Sequence, residues 1–532
     1  MSRINVLDST LRDGGYINNW EFGSLTIPKI IDELNNANVD FIECGFMSDE
    51  PYNPEKTIFH SLEDINYMLP KFVNKSKVLG MITYGEYDQN RLTKKTSDSI
   101  AGFRVIFKKN QWQDALEYCK EIKEKGWLLF INPTFTDQYS DTEILQLISE
   151  VNKIKPDYLS IVDSMGVMRK IDIIRFFSLI DHNLDKEIGI CFHSHNNLQL
   201  SFANAQIILE MHHERSIVID SSVFGMGRGA GNLCTELLMQ YLNENNGKSY
   251  DILSILKIID RYIMPIFLTN PWGYSVPYYL AAIHNCHPNY AAHLFNKQTL
   301  NLIDISKIIE KIDSTKKGIY NKNYAEDLYL QYMKQNIDDS KMLESIQSSV
   351  FEKPILIIAP GKSIVSKKNI ILSFIEENNP IVFSTNFIPD TIPINYLFLS
   401  NLKRFENLND VNKVISGTQK IIVTSNVSIE PAESILIANY GNYINDNPFI
   451  SDNSVLMLIS LLKRCGVKKI TFAGFDGFVI NRFDNYYDKK FVNVAENSKV
   501  LRKNEEIQKE LIKLSNNIDI NFLTESKYEW RD

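Results

Sequence analysis

Paired cysteines are missing from this chain, and so are long apolar runs, an excess of positive charge and any low-complexity or short-period repeat. Each gap removes a class of protein. The six cysteines (Cys44, Cys119, Cys191, Cys234, Cys286, Cys465) form no CxxC pair, which removes the paired-thiol motifs. Cys44, Cys191 and Cys465 lie in or beside apolar runs and read as reduced, buried small hydrophobes. No apolar stretch approaches the ~20 residues of a membrane helix, and the opening MSRINVLDST has no apolar secretory core. A cytoplasmic protein without a membrane partner is expected. With 57 Lys+Arg against 65 Asp+Glu, the formal net charge is −8, so the chain lacks the phosphate-neutralising excess that general nucleic-acid binding requires. A small anionic substrate held by a few local Arg or Lys residues stays open.

A length of 532 residues exceeds one core, and 44% hydrophobic with 23% charged residues is globular composition, so two domains are expected. The first 225 residues repeat one pattern, a short apolar run followed by a polar loop and a helical-period segment. The runs are Ile4–Leu7, Phe41–Cys44, Val78–Ile82, Gly102–Phe107, Trp127–Ile131, Tyr158–Val162, Ile188–Phe192 and Ile217–Val223. Short apolar strands alternating with helices imply a parallel sheet covered on both faces. Eight units at the ~25–30-residue spacing of a βα repeat predict a closed (β/α)8 TIM barrel. The barrel is assigned to 1–300 and a helical connector to 301–351. A second, doubly wound Rossmann-like α/β domain is assigned to 352–532, with strands at Ile355, Ile381–Phe383, Tyr396–Leu399, Ile421–Thr424 and Lys469–Ala473.

Polar residues gather at the C-terminal ends of the barrel runs: Asp8 with Arg12 and Asp13, then Glu43, Thr83, Arg104 (within the fourth run), Asn132, Asp163, His193 with His195, and Asp220. Active sites of such barrels sit at that face. Helix capping is the competing reading for Thr10 and for Asp163–Ser164. His193-Ser-His195 at a strand end points two imidazoles the same way. A carboxylate from another strand, Asp13, completes a set suited to a hard divalent cation.

Leu7-Asp-Ser-Thr-Leu-Arg-Asp-Gly-Gly15, His193-Ser-His195-Asn-Asn-Leu198 and Gly225-Met-Gly-Arg-Gly-Ala-Gly-Asn232, in that order over roughly residues 4–240, resemble the metal-dependent aldolase and acyltransferase superfamily known as DRE-TIM (HMGL-like) metallolyases. The Arg-Asp-Gly-Gly-Tyr stretch is nearer to its 4-hydroxy-2-oxovalerate aldolase-like branch. The resemblance implies Mn²⁺ or Mg²⁺ bound by Asp13, His193 and His195, with Asn232 as a ligand in some members. It also implies that Arg12 stabilises an enolate, adding a fixed positive charge to the Lewis acidity of the ion. Asn132, Asp163 and Asn196, and with them Arg104, are candidates for orienting substrate or ligands; loop hydrogen bonds explain the three polar residues equally well. Glu43 is positioned to hold Arg12, as a catalytic partner or as a plain ion pair.

The expected general base departs from the aldolase pattern. Tyr16 stands where those enzymes carry a histidine, and a phenol with an ordinary pKa near ~10 is a poor base at neutral pH. A water, Tyr16 beside the cationic metal, or a residue of the segment Tyr274–Tyr290 are the alternatives for the base; His287 and Tyr290 are candidates there, with core packing as the competing reading for either. The glycine-rich loop 225–231 follows the eighth strand and does not open a βαβ unit, so it fails the dinucleotide fingerprint; close backbone approach to metal and substrate is the better reading.

In the second domain, Ala359-Pro-Gly-Lys-Ser363 joins a strand to a helix but is not a phosphate-binding Walker loop. Together with Gly466-Val-Lys-Lys-Ile-Thr-Phe-Ala-Gly-Phe-Asp-Gly477 it resembles Rossmann-type domains of bacterial sialyltransferase-like and motility-accessory proteins. That resemblance implies a nucleotide or nucleotide-sugar among Gly361, Ser363, Asn386 and Asp476; a structural or regulatory domain without ligand fits the same residues. The leading expectation is an aldolase, active on a pyruvate-like 2-oxo acid and an aldehyde in sugar or surface-polysaccharide metabolism, and a homo-oligomer. An acyl-CoA condensing enzyme or HMG-CoA-lyase-like enzyme, and a catalytically inactive binding protein, are the alternatives.

Overall fold

Runs of β-branched and aromatic residues become parallel strands here because both of their faces can be buried. The computed structural model describes residues 4–530 except 72, 75–76, 212–213, 298, 334–336, 402–403, 405–418, 428–433, 446, 448, 480–484 and 488–499. The chain divides into one unit of Met1–Ala291 with Thr315–Ile319 and another of Ala292–Ser314 with Tyr320–Asp532.

The first unit is a closed parallel barrel. Its strands are β1 (Ile4–Asp8), β2 (Phe41–Met47), β3 (Val78–Thr83), β4 (Gly102–Phe107), β5 (Leu128–Pro133), β6 (Tyr158–Asp163), β7 (Gly189–Ser194) and β8 (Ile217–Ser221). A short extra strand, Ile58–Phe59, pairs with the end of β2. Neighbours pair in sequence order, and β1 closes the ring, pairing with β8 from Ile4↔Ile217 to Asp8↔Ser221 and with β2 at Leu7↔Phe41. Helices cover the outside with one apolar stripe each. Ile27–Asn36 buries Ile27, Ile30, Ile31 and Leu34, the i, i+3, i+4, i+7 face. Asp141–Ile154 is opened by a reciprocal Ser140–Glu143 cap and buries Ile144, Leu147, Ile148 and Val151.

Inside the ring, Leu7, Leu79, Phe130, Tyr158, Cys191 and Val218 form an apolar plug with Phe41 packed against it. Strand side chains alternate, so the residue two places on along a strand faces inward again, one layer nearer the C-terminal end. Two places beyond Phe41, Phe130, Tyr158, Cys191 and Val218 come Glu43, Asn132, Ser160, His193 and Asp220, all buried. The pleat itself therefore sets a polar layer on an apolar floor.

The second unit is built on a seven-stranded parallel sheet. Its strands are β9 (Ile355–Ile358), β10 (Ile381–Thr385), β11 (Tyr396–Leu399), β12 (Lys420–Thr424), β13 (Ile435–Ala438), β14 (Lys469–Ala473) and β15 (Asp519–Phe522). They lie in the order β13-β12-β11-β10-β9-β14-β15, which reverses direction at β9 as in doubly wound folds. The helices Leu302–Glu310, Lys322–Met333 and Ser340–Val350 fall within this unit. No described helix is long and apolar enough to cross a membrane.

Candidate active site

Strand β7 carries His193 as its last residue but one, and His195, directly after its end, lies on the same side; the turn after β1 supplies Asp13. That turn is held by the Arg12 and Asp13 amides, which both donate to Ser9 O at 3.0 and 2.7 Å. One ligand atom from each of Asp13, His193 and His195 lies within 4.8 Å of the others, and all three residues are buried. A backbone bridge between His195 and Asn232 brings the glycine-rich loop alongside. Asn232 Nδ2 donates to Asp13 Oδ2 at 2.6 Å and to Met226 O at 3.2 Å.

The donor set fits a divalent cation. His193 Nδ1 donates to Asp220 Oδ2 at 2.8 Å, which fixes its tautomer and leaves Nε2 as a ligand. His195 Nδ1 stands 3.9 Å from Asp13 Oδ2. That nitrogen and Asn232 Oδ1 are buried without a hydrogen-bond partner, an arrangement that costs free energy unless a further group satisfies them. Burial pulls the His195 imidazole down to about 3, with Asp13 opposing, so at neutral pH it is an uncharged, ligand-ready base. Burial pushes the Asp13 carboxyl upward, but Arg12 and the two histidines outweigh it and hold it well below the usual range.

Charges beneath this cluster form one chain of contacts. Arg12 Nε donates to Glu43 Oε2 at 2.8 Å and its Nη1 to Asp13 Oδ1 at 2.7 Å. Arg104, fully buried, donates from Nη1 to the same Glu43 oxygen at 3.0 Å and from Nη2 to Asp220 Oδ2 at 2.7 Å. Two guanidiniums thus face three carboxylates, and the uncompensated negative charge is one a cation would satisfy. Arg12 Nη2 has no protein partner among the described residues, which leaves one donor corner for substrate.

The other sequence-based candidates divide. Asn132 belongs to the polar layer: with its carboxamide oxygen turned to Arg104 it accepts from Nη2 at 3.0 Å and Nε at 3.3 Å, and it donates to Ser160 Oγ at 2.9 Å. It positions Arg104, whose own donors are directed at protein groups and at Asn132. Asp163 is turned into its own loop, accepting from the Val167 and Met168 amides at 2.9 and 3.0 Å, and burial raises it to about 7. Asn196 likewise accepts from the Ser201 amide at 3.2 Å at the start of the following helix. Thr10 Oγ1 accepts from the Val223 amide at 2.8 Å, tying the two ends of the barrel together. Tyr16 lies at the open end, 43% exposed as a residue, its ring packed edge-on against Trp20 and under Arg228, whose guanidinium carbon is 5.6 Å from the ring centroid. Desolvation raises its phenol above the ordinary value, so it is held protonated. Tyr290 is not brought to the cluster: its buried hydroxyl donates to Lys316 O and Ile319 O at 3.3 and 3.0 Å. Asp220, visible in the sequence only as a strand-end acid, and Arg228, hidden among glycines, are the two site residues that motif reading gave no role.

In the second unit, Gly361, Ser363 and Asp476 meet at the ends of β9 and β14. The Ser363 amide donates to Asp476 Oδ2 at 2.9 Å and its hydroxyl to Asp476 Oδ1. A Cβ at Gly361 would stand 2.5 Å from that carboxylate. The loop for which a nucleotide or nucleotide-sugar is implied thus holds a carboxylate of its own chain. Asn386, after β10, is engaged elsewhere, accepting from the Ser400 amide at 2.9 Å and donating to Ser454 Oγ.

Residues 3–260 match the HMGL-like family model. That match, the closed parallel barrel and the Asp-His-His cluster define the first unit as a metal-dependent carbon–carbon lyase domain of the DRE-TIM superfamily. Among curated proteins, the chain is 24% identical over 267 residues to a 4-hydroxy-2-oxovalerate aldolase of Geobacillus genomosp. 3, covering 49% of this chain and 77% of that protein. It is 22% identical over 238 residues to the oxaloacetate decarboxylase of Mycobacterium tuberculosis, covering 44% and 69%. Among solved structures, the HMG-CoA lyase of Bacillus subtilis aligns at 15% identity over 51% of this chain and 94% of that one, with a TM-score of 0.41.

Proposed function

We propose that the barrel makes or breaks the bond between a pyruvate-like 2-oxo acid and an aldehyde. The observation that carries this reading is the Asp13, His193 and His195 cluster with the open corner of Arg12 beside it. A bound Mn²⁺ or Mg²⁺ would supply Lewis-acid polarisation of the 2-oxo carbonyl. Arg12, locked by Glu43 and Asp13, directs Nη2 at the oxygen that gains charge as the methyl carbon of the 2-oxo acid loses its proton or its bond. Because Arg12 is held by two carboxylates, it is in place before substrate arrives and needs no reorganisation. In condensation a water takes the methyl proton, and Tyr16, protonated at neutral pH, donates a hydrogen bond from Oη to the aldehyde oxygen, which takes its proton from water as it becomes the hydroxyl; in cleavage water removes that hydroxyl proton and the same steps run in reverse. The relatives' names, 4-hydroxy-2-oxovalerate aldolase and oxaloacetate decarboxylase, support a 2-oxo acid substrate. The weaker setting, sugar or surface-polysaccharide metabolism, is supported by the resemblance of the second unit and is tested by titrating nucleotides and nucleotide sugars into the full chain.

The experiment is pyruvate release from a panel of 4-hydroxy-2-oxo acids, coupled to lactate dehydrogenase, with Mn²⁺ and with chelator. Metal-dependent release is expected, together with its abolition in Asp13→Asn while the circular dichroism spectrum is kept. No release from any member of the panel, or full turnover in Asp13→Asn, overturns the reading.

A further inference from the structure

Every charged side chain of the inner site is matched by a protein partner, and Arg228 is not. Arg12, Glu43, Arg104, Asp13 and Asp220 each pair with at least one opposite charge among themselves, through contacts of 2.7–3.0 Å. Among the described residues, Arg228 forms no ion pair; its one hydrogen bond runs from Nη2 to Ser164 O at 3.3 Å. It is partly exposed, its guanidinium carbon 5.6 Å from the centre of the Tyr16 ring.

The loop holds Arg228 there on purpose-shaped backbone. Gly229 is left-handed, at φ +70°, and a Cβ there would stand 2.6 Å from Asn197 Oδ1. The same oxygen accepts from the Ala230 amide at 2.8 Å, while Asn197 Nδ2 donates to Met165 O at 2.8 Å. Asn232 fixes the other side of the loop against Asp13. The guanidinium is thus presented from a rigid base, with its stem anchored and its charge unanswered. An unpaired guanidinium on an ordered loop beside a catalytic cluster is suited to bidentate capture of a carboxylate or phosphate. Nearby His287, pulled down to about 3 by burial and secondarily by Arg228, stays neutral and does not compete for an anion.

We infer that Arg228 is a specificity determinant that binds an anionic group, carboxylate or phosphate, on the aldehyde partner, remote from its reacting carbonyl. The inference rests on the aldolase reading and narrows its substrate class: the 2-oxo acid occupies the cluster and Arg12, and the acceptor carries its own negative charge to Arg228.

Two measurements separate the inference from the reading beneath it. Exchange of pyruvate methyl protons in D₂O, followed by NMR with Mn²⁺ and no aldehyde, tests the 2-oxo acid half alone; no exchange in the wild type sinks the aldolase reading and this inference with it. Given exchange, condensation of pyruvate is compared between succinic semialdehyde and butanal, and between glyceraldehyde 3-phosphate and glyceraldehyde. The first pair tests a carboxylate and the second a phosphate. In at least one pair the wild type is expected to favour the charged member. Arg228→Met should cut that preference about 10–100-fold, the scale of a charge-assisted hydrogen bond, through the KM of the charged aldehyde. Arg228→Lys should restore part of it, since a point charge replaces the fork. Exchange without a charge preference in either pair, or a preference that survives Arg228→Met, overturns the inference. So does a rise in pyruvate KM as large as that for the aldehyde, which would move Arg228 to the 2-oxo acid.

Discussion

Replacing Asp220 by asparagine separates two tasks performed by one carboxylate oxygen. Oδ2 receives His193 Nδ1 at 2.8 Å and Arg104 Nη2 at 2.7 Å. The carboxamide is the same size and retains one acceptor oxygen, so the barrel should still close; what it removes is the charge. A histidine ligand that loses its carboxylate partner typically gives up about 10–100-fold in metal affinity, or about 1.4–2.7 kcal/mol. Arg104, with Glu43 still 3.0 Å away, loses one of two buried anionic partners, worth about 1.5–3 kcal/mol for a hydrogen bond between charged groups. Asp220→Asn should therefore bind Mn²⁺ about 10–100-fold more weakly by titration calorimetry. It should also unfold at lower denaturant with chelator present. An unchanged Kd would refute the claim that Asp220 orients His193, and unchanged apo stability would refute its part in balancing Arg104.

Arg104→Met leaves Glu43 and Asp220 each short of a buried cation, and a chemical-denaturation loss of about 3–5 kcal/mol is expected; a loss of only about 0–1 kcal/mol, the scale of an exposed pair, would refute it. Asp163, raised by burial from 3.8 to about 7, stays protonated in the folded chain over a range where the unfolded chain has released the proton, so its contribution to stability falls as pH rises through that range. The Tm of the wild type relative to Asp163→Asn, measured without metal, should drop between about pH 4 and about pH 7 and level off above it; a constant difference would contradict the burial argument.

The barrel was legible because each of its strands is buried on both faces and so reads as an apolar run; all eight runs became strands with ends shifted by a few residues. In the second sheet, Ile435–Ala438 and Asp519–Phe522 escaped. Both lie at sheet edges, where only part of the strand is buried, and Asp519–Phe522 never reaches full burial on either face. That Asp13, His193 and His195 come together was legible through residue type and strand-end position. Asp220 was visible but without a role, because its partners, His193 and Arg104, are settled by pairing across the barrel interior and not by spacing. Tyr290 failed for the opposite reason: nothing in the sequence reveals that two backbone carbonyls will take its hydroxyl.

The two histidines and Asp13 come from opposite ends of the barrel's chain order, on and just after β7 and just after β1, and meet across the seam where β1 pairs with β8. A partly assembled chain cannot present all three, so an ion that occupies the cluster recognises only the completed circle. Binding would then act as a latch on global unfolding, adding about 2.7 kcal/mol at a hundredfold excess over Kd, and the seam would be the last part of the ring to open.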